Sequence, residues 1–195
     1  MNRPISPREK EAWDFAVKAH KGQVRKFSNK PYFTEHVQKV NGILKKYTKE
    51  EDLLIAALLH DVVEDCYEDK EVGFHVIEDK FGKRVANIVK ELTSSEHEIE
   101  WDYSGSKTNY LIDKMISMSD DALLVKLSDR LQNISDAFTA SEKFRNNYFR
   151  ETSTIVSELE KLRKFNKMQL VLLNDIKSKL GNIESIFKLK RFKEM

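Results

Sequence analysis

The side chains best suited to chemistry follow a strongly apolar segment. Residues 53–59 read LLIAALL, and His60, Asp61, Glu64 and Asp65 come directly after them. Four ionisable side chains at the end of a buried helix are costly to remove from water unless they are paired or bind a metal. Helical spacing places 60 with 64 and 61 with 65, one turn apart on adjoining faces. His60 and Asp61 are therefore candidate ligands of one ion, with Glu64 and Asp65 facing the same cavity.

Two further candidate ligands lie elsewhere in the chain. His36 falls in the first turn of a predicted second helix, and Asp129 lies in the amphipathic segment KLSDRLQN, which also carries Lys126, Arg130 and Asn133 on its polar flank. Either ligand alone would more often be a capping or surface group, but the ordered set of His and Asp indicates a metal site. Such a mixed set suits a borderline or hard divalent ion such as Mn²⁺, Fe²⁺, Ni²⁺ or Zn²⁺ and leaves positions open for water and substrate.

The composition favours helices as the elements that position these residues. Gly and Pro together number only 9 of 195 residues, which predicts few turns. Hydrophobic residues make up 40% of the chain, enough for one sizeable core. The apolar residues recur at helical spacing, and no segment alternates with the period of a strand. The sequence therefore predicts an all-α protein.

Short polar residues before apolar runs predict where the helices begin. These candidate N-caps are Ser6, Thr34, Thr48 and Ser119. The third helix is expected to run unbroken from its cap to about residue 65. The polar segment 93–106 is expected to form a loop. The remaining helices are expected on either side of a break near Gly82 and at about 107–117, 143–163 and 167–189.

Several classes of protein are excluded by the sequence. A single cysteine, Cys66, excludes an intramolecular disulfide and a cysteine-rich zinc ribbon. No apolar run approaches the roughly 18 residues that a membrane span needs. The first residues, MNRPISPREKEAW, lack the apolar region of a secretory signal. We therefore expect a cytoplasmic protein with no membrane partner.

The charge is unevenly distributed along the chain. Residues 141–195 carry 13 basic and 7 acidic side chains and end in KLKRFKEM. Such a tail could attract nucleic acid. More often it is the solvated face of a helix, so we do not expect a nucleic-acid partner.

Four segments in a fixed order carry a resemblance to a known family. They contain the patterns GQxRK, PYxxxH, LLHDxxED and VKLxDRxxN, and they read AVKAHKGQVRKFSNKPYFTEH (16–36), DLLIAALLHDVVED (52–65), FGKRVANIVKELT (81–93) and LLVKLSDRLQNISD (123–136). The chain resembles the HD-domain metal-dependent phosphohydrolases, in particular the hydrolase domain of RelA/SpoT-type alarmone enzymes and their small hydrolase-only members. The resemblance implies an HD-domain bundle of about eight to ten helices over 1–140. Extra C-terminal helices over 141–195 are expected to pack on the same domain.

The resemblance also implies roles for individual residues. It implies that one Mn²⁺ is bound by four ligands, which are His36, His60, Asp61 and Asp129. It makes Glu64 and Asp65 the catalytic pair that positions or activates the attacking water. The residues expected to bind the substrate are Arg25, Lys26 and Asn133, which match family positions near the nucleotide, and Lys107, Lys126 and Arg130, whose charges could offset its phosphates. The activity so implied is removal of the 3′-pyrophosphate of (p)ppGpp-like alarmones of the stringent response by metal-activated water.

Other functions are consistent with the same residues. The HD chemistry could act on another nucleotide, such as a ppApp-type alarmone, the 2′-phosphate of NADPH or a dNTP. The protein could also bind nucleotides in a regulatory role without cutting them, although an intact ligand set together with Glu64 and Asp65 favours catalysis. A homo-oligomer is a further possibility, with self-association through Leu159, Leu162, Leu170 and Leu173.

Overall fold

The computed structural model describes residues 6–26, 28–66, 72–94 and 96–193, with side chains in the last range described for 98–181. The side chains of the basic tail from residue 182 onward therefore lie outside the described residues. Within the described ranges the chain is helical, and β-structure is limited to one isolated bridge between Val24 and Pro31, which confirms the all-α prediction. The helices are α1 (Pro7–Ala19), α2 (Gln38–Leu44), α3 (Glu51–Leu59), α4 (Val62–Asp65), α5 (Phe74–Phe81), α6 (Lys83–Leu92), α7 (Glu96–Trp101), α8 (Lys107–Ser117), α9 (Asp120–Ala137), α10 (Glu142–Leu162) and α11 (Lys167–Lys193).

Helix α3 lies at the centre of the core. Its residues 53–59 are at most 3% exposed, and α1, α2, α6 and α9 pack around it. An apolar surface on all sides stabilises a helix only when neighbouring elements cover every side. The buried Asn41 amide donates to the Leu54 carbonyl at 2.8 Å, which ties α2 to the middle of α3. The central helix therefore holds the ionisable residues at its end in a fixed position.

The helical path changes direction where the ionisable residues begin. Helix α3 ends at Leu59 and α4 begins at Val62, so the expectation of one unbroken helix through residue 65 is wrong. Asp61, at φ −101° and ψ −5°, departs from helical geometry. Consecutive residues of a regular helix point about 100° apart, whereas the break lets His60 and Asp61 approach one point. The Asp65 N–H still donates to the Asp61 carbonyl at 2.8 Å, which keeps these two residues one turn apart.

The segment before α2 also departs from the expected helix. Phe33–Val37 forms a π-helical turn, with no side-chain cap at its start. The Thr34 hydroxyl donates to the Pro31 carbonyl at 3.1 Å, so the prediction that Thr34 caps this helix is wrong. Wide π-turns are frequent at functional sites because they redirect a side chain. Here the turn contains His36, which is buried.

The other predicted N-caps have mixed outcomes. Ser6 accepts from the Glu9 N–H at 3.0 Å and Ser119 from the Ala122 N–H at 3.2 Å, which confirms both caps. Thr48 accepts from the Glu50 N–H at 3.1 Å, but the N-cap of α3 is Glu50, without a side-chain bond, so the predicted Thr48 cap is wrong. Ser6, the N-cap of α1, and Arg8 of α1 both donate to the Glu51 carboxylate, which thereby joins α1 to the start of α3.

Helix α9 buries both an apolar and a polar face. Its apolar residues, including Leu127 and Ile134, are fully buried, and the helix packs against α2, α3 and α6. Asp129, Arg130 and Gln132 on its other flank are also buried. Helices α10 and α11 pack against α9 and enclose part of this flank. Buried polar groups need partners, so the space beside them is a candidate site.

The predicted loop 93–106 contains the short helix α7. This helix spans Glu96–Trp101, so the loop prediction is wrong for that part of the segment. The break near Gly82 is confirmed between α5 and α6, where Gly82 adopts φ +88°.

Among the described helices, none combines the length and the apolar character that crossing a bilayer would require.

Replacing Leu58 by Ala tests the central role of α3. Leu58 is fully buried, and deleting its buried atoms is expected to lower the free energy of unfolding by about 2–5 kcal/mol. Denaturant unfolding followed by circular dichroism measures the change. The matched control is Leu162→Ala, because Leu162 is 60% exposed and its loss should change stability by less than about 0.5 kcal/mol. Equal losses in both variants would contradict this assignment of the core.

Candidate metal centre and active site

Two histidines and two aspartates converge at the end of α3. The Nε2 atoms of His36 and His60 lie 3.3 Å apart. Asp61 Oδ2 is 3.2 Å from the first of these nitrogens and 3.0 Å from the second. Asp129 Oδ1 is 3.3 Å from His36 Nε2 and 4.0 Å from His60 Nε2. Thus the four residues that the sequence singles out as ligands come together from three separate segments.

The hydrogen bonds of the histidines indicate which nitrogen faces the centre. His60 Nδ1 lies 2.9 Å from the Ala57 carbonyl oxygen, an acceptor only, so Nδ1 carries the hydrogen. In the neutral ring the lone pair of Nε2 is then directed at His36 and Asp61. A backbone carbonyl that fixes the tautomer in this way is a common support for a metal-binding histidine. Among the described residues, His36 Nδ1 has no hydrogen-bond partner, which leaves its ring oriented by the converging Nε2 contacts.

The pKa values of the centre reflect buried opposite charges. Burial lowers the pKa of His60, but the carboxylates of Asp61 and Asp129 outweigh it and raise that pKa to about 9. Burial favours a neutral Asp61, yet His60 and His36 hold its pKa well below the ordinary value. Burial likewise opposes ionisation of Asp129, and Lys126 and the two imidazoles lower its pKa. Both carboxylates are therefore anionic and ready to bind a cation.

The donor set fits a divalent metal ion. Two imidazole nitrogens and two carboxylate oxygens are ligands for borderline and hard divalent ions. His36, His60 and Asp129 offer ligand atoms within 4.8 Å of one another, and Asp61 Oδ2 lies beside both rings. Without an ion, two Nε2 lone pairs at this separation would repel unless one ring is protonated. A cation between the four groups would remove that repulsion and compensate both buried carboxylates.

A cavity of about 390 Å³ opens beside the four residues. Its polar lining combines acidic and basic side chains from α4, α8, α9 and α10. Within the described part of the chain, four Lys or Arg and five Asp or Glu residues line it. A divalent ion would shift this balance toward positive charge, which a phosphorylated ligand requires. The lining residues are Arg25, Tyr32, His36, Asp61, Glu64, Asp65, Ser94, Lys107, Leu111, Lys126, Asp129, Arg130, Asn133, Phe144, Tyr148 and Glu151.

The acidic pair of α4 reaches this cavity. Glu64 Oε2 accepts from the Ser94 N–H at 2.6 Å, which fixes the carboxylate at the cavity wall. Burial, together with the negative charges of Asp61 and Glu64, raises the pKa of Asp65 to about 6. A carboxylate with a raised pKa is a stronger base and still ionised at neutral pH. Both carboxylates line the cavity beside the converging residues.

Comparison with known proteins places the chain in a family. The HD domain model matches residues 12–177. The chain belongs to the HD domain family. Together with the His and Asp cluster, this membership implies that the protein binds a divalent metal ion.

Relatives of this HD domain include nucleotide hydrolases. This chain is 34% identical over 156 residues to guanosine-3′,5′-bis(diphosphate) 3′-pyrophosphohydrolase MESH1 of Xenopus tropicalis. The match covers 76% of this chain and 83% of that protein. A protein of Aquifex aeolicus named guanosine-3′,5′-bis(diphosphate) 3′-pyrophosphohydrolase is 30% identical over 150 residues, covering 76% of this chain and 20% of that protein. The chain thus spans about a fifth of the length of this relative and of the bifunctional (p)ppGpp synthase/hydrolase SpoT of Escherichia coli.

A solved structure has a similar fold. It superposes on this HD domain with a TM-score of 0.74 at 28% sequence identity and covers 93% of this chain and 99% of that one. That protein is described as a metazoan orthologue of SpoT that hydrolyses ppGpp and plays a role in starvation responses. The similarity therefore extends over nearly the whole of both chains.

Of the six residues expected to bind the substrate, five line the cavity of the HD domain and one does not. Arg25, Lys107, Lys126, Arg130 and Asn133 line it. Lys26 is exposed and is not among the lining residues, so its contact with a nucleotide stays a prediction.

Most of these groups are held by neighbours of opposite charge or polarity. Arg25 donates to Asp136 at 2.9 Å and also to Asn133, while Lys126 lies 3.0 Å from Asp129 Oδ2. Arg130 donates to the Glu151 carboxylate at 3.1 Å and to the Thr152 hydroxyl at 2.9 Å. Its Nε atom is buried without a hydrogen bond among the described residues. These contacts fix the orientation of Arg25, Lys126 and Arg130 around the cavity.

Several residues that line the cavity are not among the site residues predicted from the sequence. Tyr32 donates to Asp61 Oδ2 at 2.6 Å, and burial followed by the charge of Asp61 raises its pKa, so it stays a donor. The pattern PYxxxH contains this tyrosine and is the sequence signal that could have indicated its position. Phe144, Tyr148 and Glu151 line the cavity from α10, beyond the segments that carry the family patterns. Their ordinary helical spacing gave no sign of this position.

Replacing one ligand by its uncharged isostere tests the metal centre. Mn²⁺ at 100 times its Kd should stabilise the metal-free protein by about 2.7 kcal/mol, and Asp129→Asn should abolish this gain because it removes one anionic ligand. Thermal melts with and without Mn²⁺ measure the effect. Asp121→Asn is the matched control, since Asp121 lies on the same helix and pairs with Arg84 at 2.8 Å. An undiminished Mn²⁺ effect in Asp129→Asn would contradict the assignment.

Proposed function

We propose that the protein is a Mn²⁺-dependent hydrolase that removes the 3′-pyrophosphate of (p)ppGpp-like nucleotides. The observation that carries the proposal is the convergence of His36, His60, Asp61 and Asp129 beside a carboxylate pair in a cavity lined by basic residues. The relatives named above as ppGpp hydrolases support the choice of substrate. The proposed small-molecule substrate is a guanosine nucleotide with phosphates at the 5′ and 3′ positions of the ribose.

The metal would be held by the two histidines and two aspartates. Imidazole and carboxylate ligands together suit Mn²⁺, and their number leaves positions free for water and a phosphate oxygen. When bound, the ion lowers the pKa of water and withdraws negative charge from a phosphate. The Tyr32 hydroxyl would keep Asp61 oriented toward the ion, since it already donates to that carboxylate.

Glu64 and Asp65 would act as the catalytic acid–base pair. One of the two carboxylates accepts a proton from water, and the water oxygen bonds to the phosphorus attached to the ribose O3′. The bond between this phosphorus and O3′ breaks, and the nucleoside 5′-diphosphate leaves with a 3′-hydroxyl after O3′ takes a proton from the acid–base pair. Because Asp65 has a pKa of about 6, it can both accept and return a proton near neutral pH.

The basic residues would hold the substrate. Lys107, Lys126 and Arg25 line the cavity and would offset the negative charge of the two phosphate groups. Asn133 bridges Arg25 and Asp129 through side-chain hydrogen bonds, so it links the nucleotide-binding wall to the metal centre and would lie near the ribose. Lys26 and Arg130 remain further candidates, although Lys26 is exposed and does not line the cavity, whereas Arg130 is buried in its wall.

We also propose that residues 1–140 supply the HD centre and that 141–195 form an extension of the same domain. Helix α10 packs against α8 and α9, and its residues Phe144, Tyr148 and Glu151 line the cavity. This contribution supports a single domain in which the extension closes one side of the site.

Product analysis tests the proposed substrate. Purified protein with Mn²⁺ is expected to convert ppGpp into GDP and pyrophosphate, and EDTA should stop the reaction. Ion-exchange chromatography separates the products, with Asp61→Ala as the inactive control. Turnover of ppApp, NADPH or a dNTP but not of ppGpp would reject the guanosine substrate, and no turnover of any of them would reject the enzyme.

Neutral replacements of the acidic pair test their proposed role. Glu64→Gln and Asp65→Asn should each lower kcat by about 10²–10⁴-fold because the acid–base pair that takes a proton from water and returns one to O3′ is then incomplete. Mn²⁺ affinity should change little, since neither residue belongs to the four converging ligands. Steady-state kinetics and metal titration measure the two quantities separately. Full kcat in both variants would remove these carboxylates from the mechanism.

A further inference from the structure

One peptide group connects Glu64 to a lysine outside the cavity. The Ser94 N–H donates to Glu64 Oε2 at 2.6 Å. The carbonyl of the same peptide group belongs to Thr93 and accepts a hydrogen bond from Lys114 Nζ. A peptide group is planar, and in its trans form the C=O and N–H point in opposite directions. The position of the carbonyl therefore fixes the direction of the N–H toward Glu64.

This peptide group lies just beyond the end of α6. Thr93 is the C-cap of that helix, with φ −66° and ψ 125°, so its carbonyl points away from the helical hydrogen-bond pattern. Carbonyls at the C-terminus of a helix need a partner from outside the helix, and a lysine ammonium group is a favourable one. Lys114 supplies that partner from α8. Without it, rotation about ψ of Thr93 and φ of Ser94 could turn the N–H away from Glu64.

Lys114 is well held in its own position. It is half-buried, and its Nζ also lies 3.2 Å from the Tyr110 hydroxyl and 5.4 Å from the centre of the Tyr110 ring. Burial, with the nearby charge of Lys126, lowers the pKa of Lys114. Its side chain is not among the residues that line the cavity. Any effect on the reaction must therefore pass through another group.

We infer that Lys114 is a positioning residue for Glu64. By binding the Thr93 carbonyl it orients the Thr93–Ser94 peptide group, and the Ser94 N–H then holds the Glu64 carboxylate at the cavity wall. The ammonium group also polarises the peptide and strengthens its N–H as a donor. This inference rests on the proposed function for its effect on rate, but the hydrogen-bond relay itself does not depend on the substrate.

Kinetics of Lys114 variants test the effect on catalysis. Lys114→Met, which has no donor, should lower kcat about 10- to 100-fold, with KM and Mn²⁺ affinity unchanged within about twofold. Lys114→Arg should restore most of kcat because it keeps a charged donor. In the double variant with Glu64→Gln, Lys114→Met should cause no further loss, since both changes act on the same group. The matched control is Lys90→Met, an exposed lysine in the last turn of α6.

Nuclear magnetic resonance tests the relay without any turnover. The amide proton of Ser94 should be shifted downfield in the wild type, as expected for a strong hydrogen bond to a carboxylate. Glu64→Gln and Lys114→Met should each move it upfield, whereas Lys90→Met should leave it in place. If Lys114→Met does not fold, Lys114→Gln takes its place in both measurements.

The outcomes separate this inference from the proposed function. A wild type that turns over no nucleotide but shows the expected Ser94 shifts would support the relay and reject only the hydrolase. A wild type that is active, with unchanged kcat and an unmoved Ser94 amide in Lys114→Met, would overturn the inference alone. Multiplying losses in the double variant would also overturn it, because Lys114 would then act independently of Glu64.

Discussion

The burial of two carboxylates at the end of an apolar helix is the constraint on which the rest of the structure depends. Asp61 and Asp129 lose most of their hydration inside a core whose central segment, residues 53–59, is entirely apolar. An isolated buried carboxylate would be strongly destabilising. The two imidazoles, Lys126 and the Tyr32 hydroxyl each meet one or both of these groups. Removing any one of them leaves charge without compensation.

This constraint explains two irregular features of the fold. A regular helix could not direct His60 and Asp61 at one point, and the chain breaks between α3 and α4 where they lie. A regular start to α2 would not place His36 opposite them, and a π-helical turn is found there. Both departures cost regular hydrogen bonds in the backbone. The contacts between the four side chains, and the cation that they are suited to bind, offset that cost.

The same arrangement determines the character of the cavity. Three of the four basic groups that line it have acidic partners: Arg25 pairs with Asp136, Lys126 with Asp129 and Arg130 with Glu151. Paired groups keep their orientation, which lowers the entropy lost when a ligand binds. A divalent ion would compensate the negative charge of the carboxylates. More of the positive charge of the basic side chains would then be available to bind phosphates. Metal and substrate binding are therefore expected to be coupled.

The convergence of the four candidate metal ligands could be predicted from the sequence because their residue types and order are specific. The helix boundaries at Ser6 and Ser119 followed from local capping chemistry, which does not depend on distant contacts. The break after Leu59 could not be predicted, since the apolar pattern continues across it into Val62. The wall formed by Phe144, Tyr148 and Glu151 depends on how α10 packs, and the orientation of a single peptide group at Thr93 leaves no trace in the sequence.

Anomalous scattering measured at the manganese edge would locate bound Mn²⁺ in crystals and tests the metal site most directly. One ion per chain is expected, with atoms of His36, His60, Asp61 and Asp129 all within about 2.5 Å of it. An ion bound elsewhere, or a centre that excludes one of the four residues, would contradict the claim that this buried cluster is the metal site.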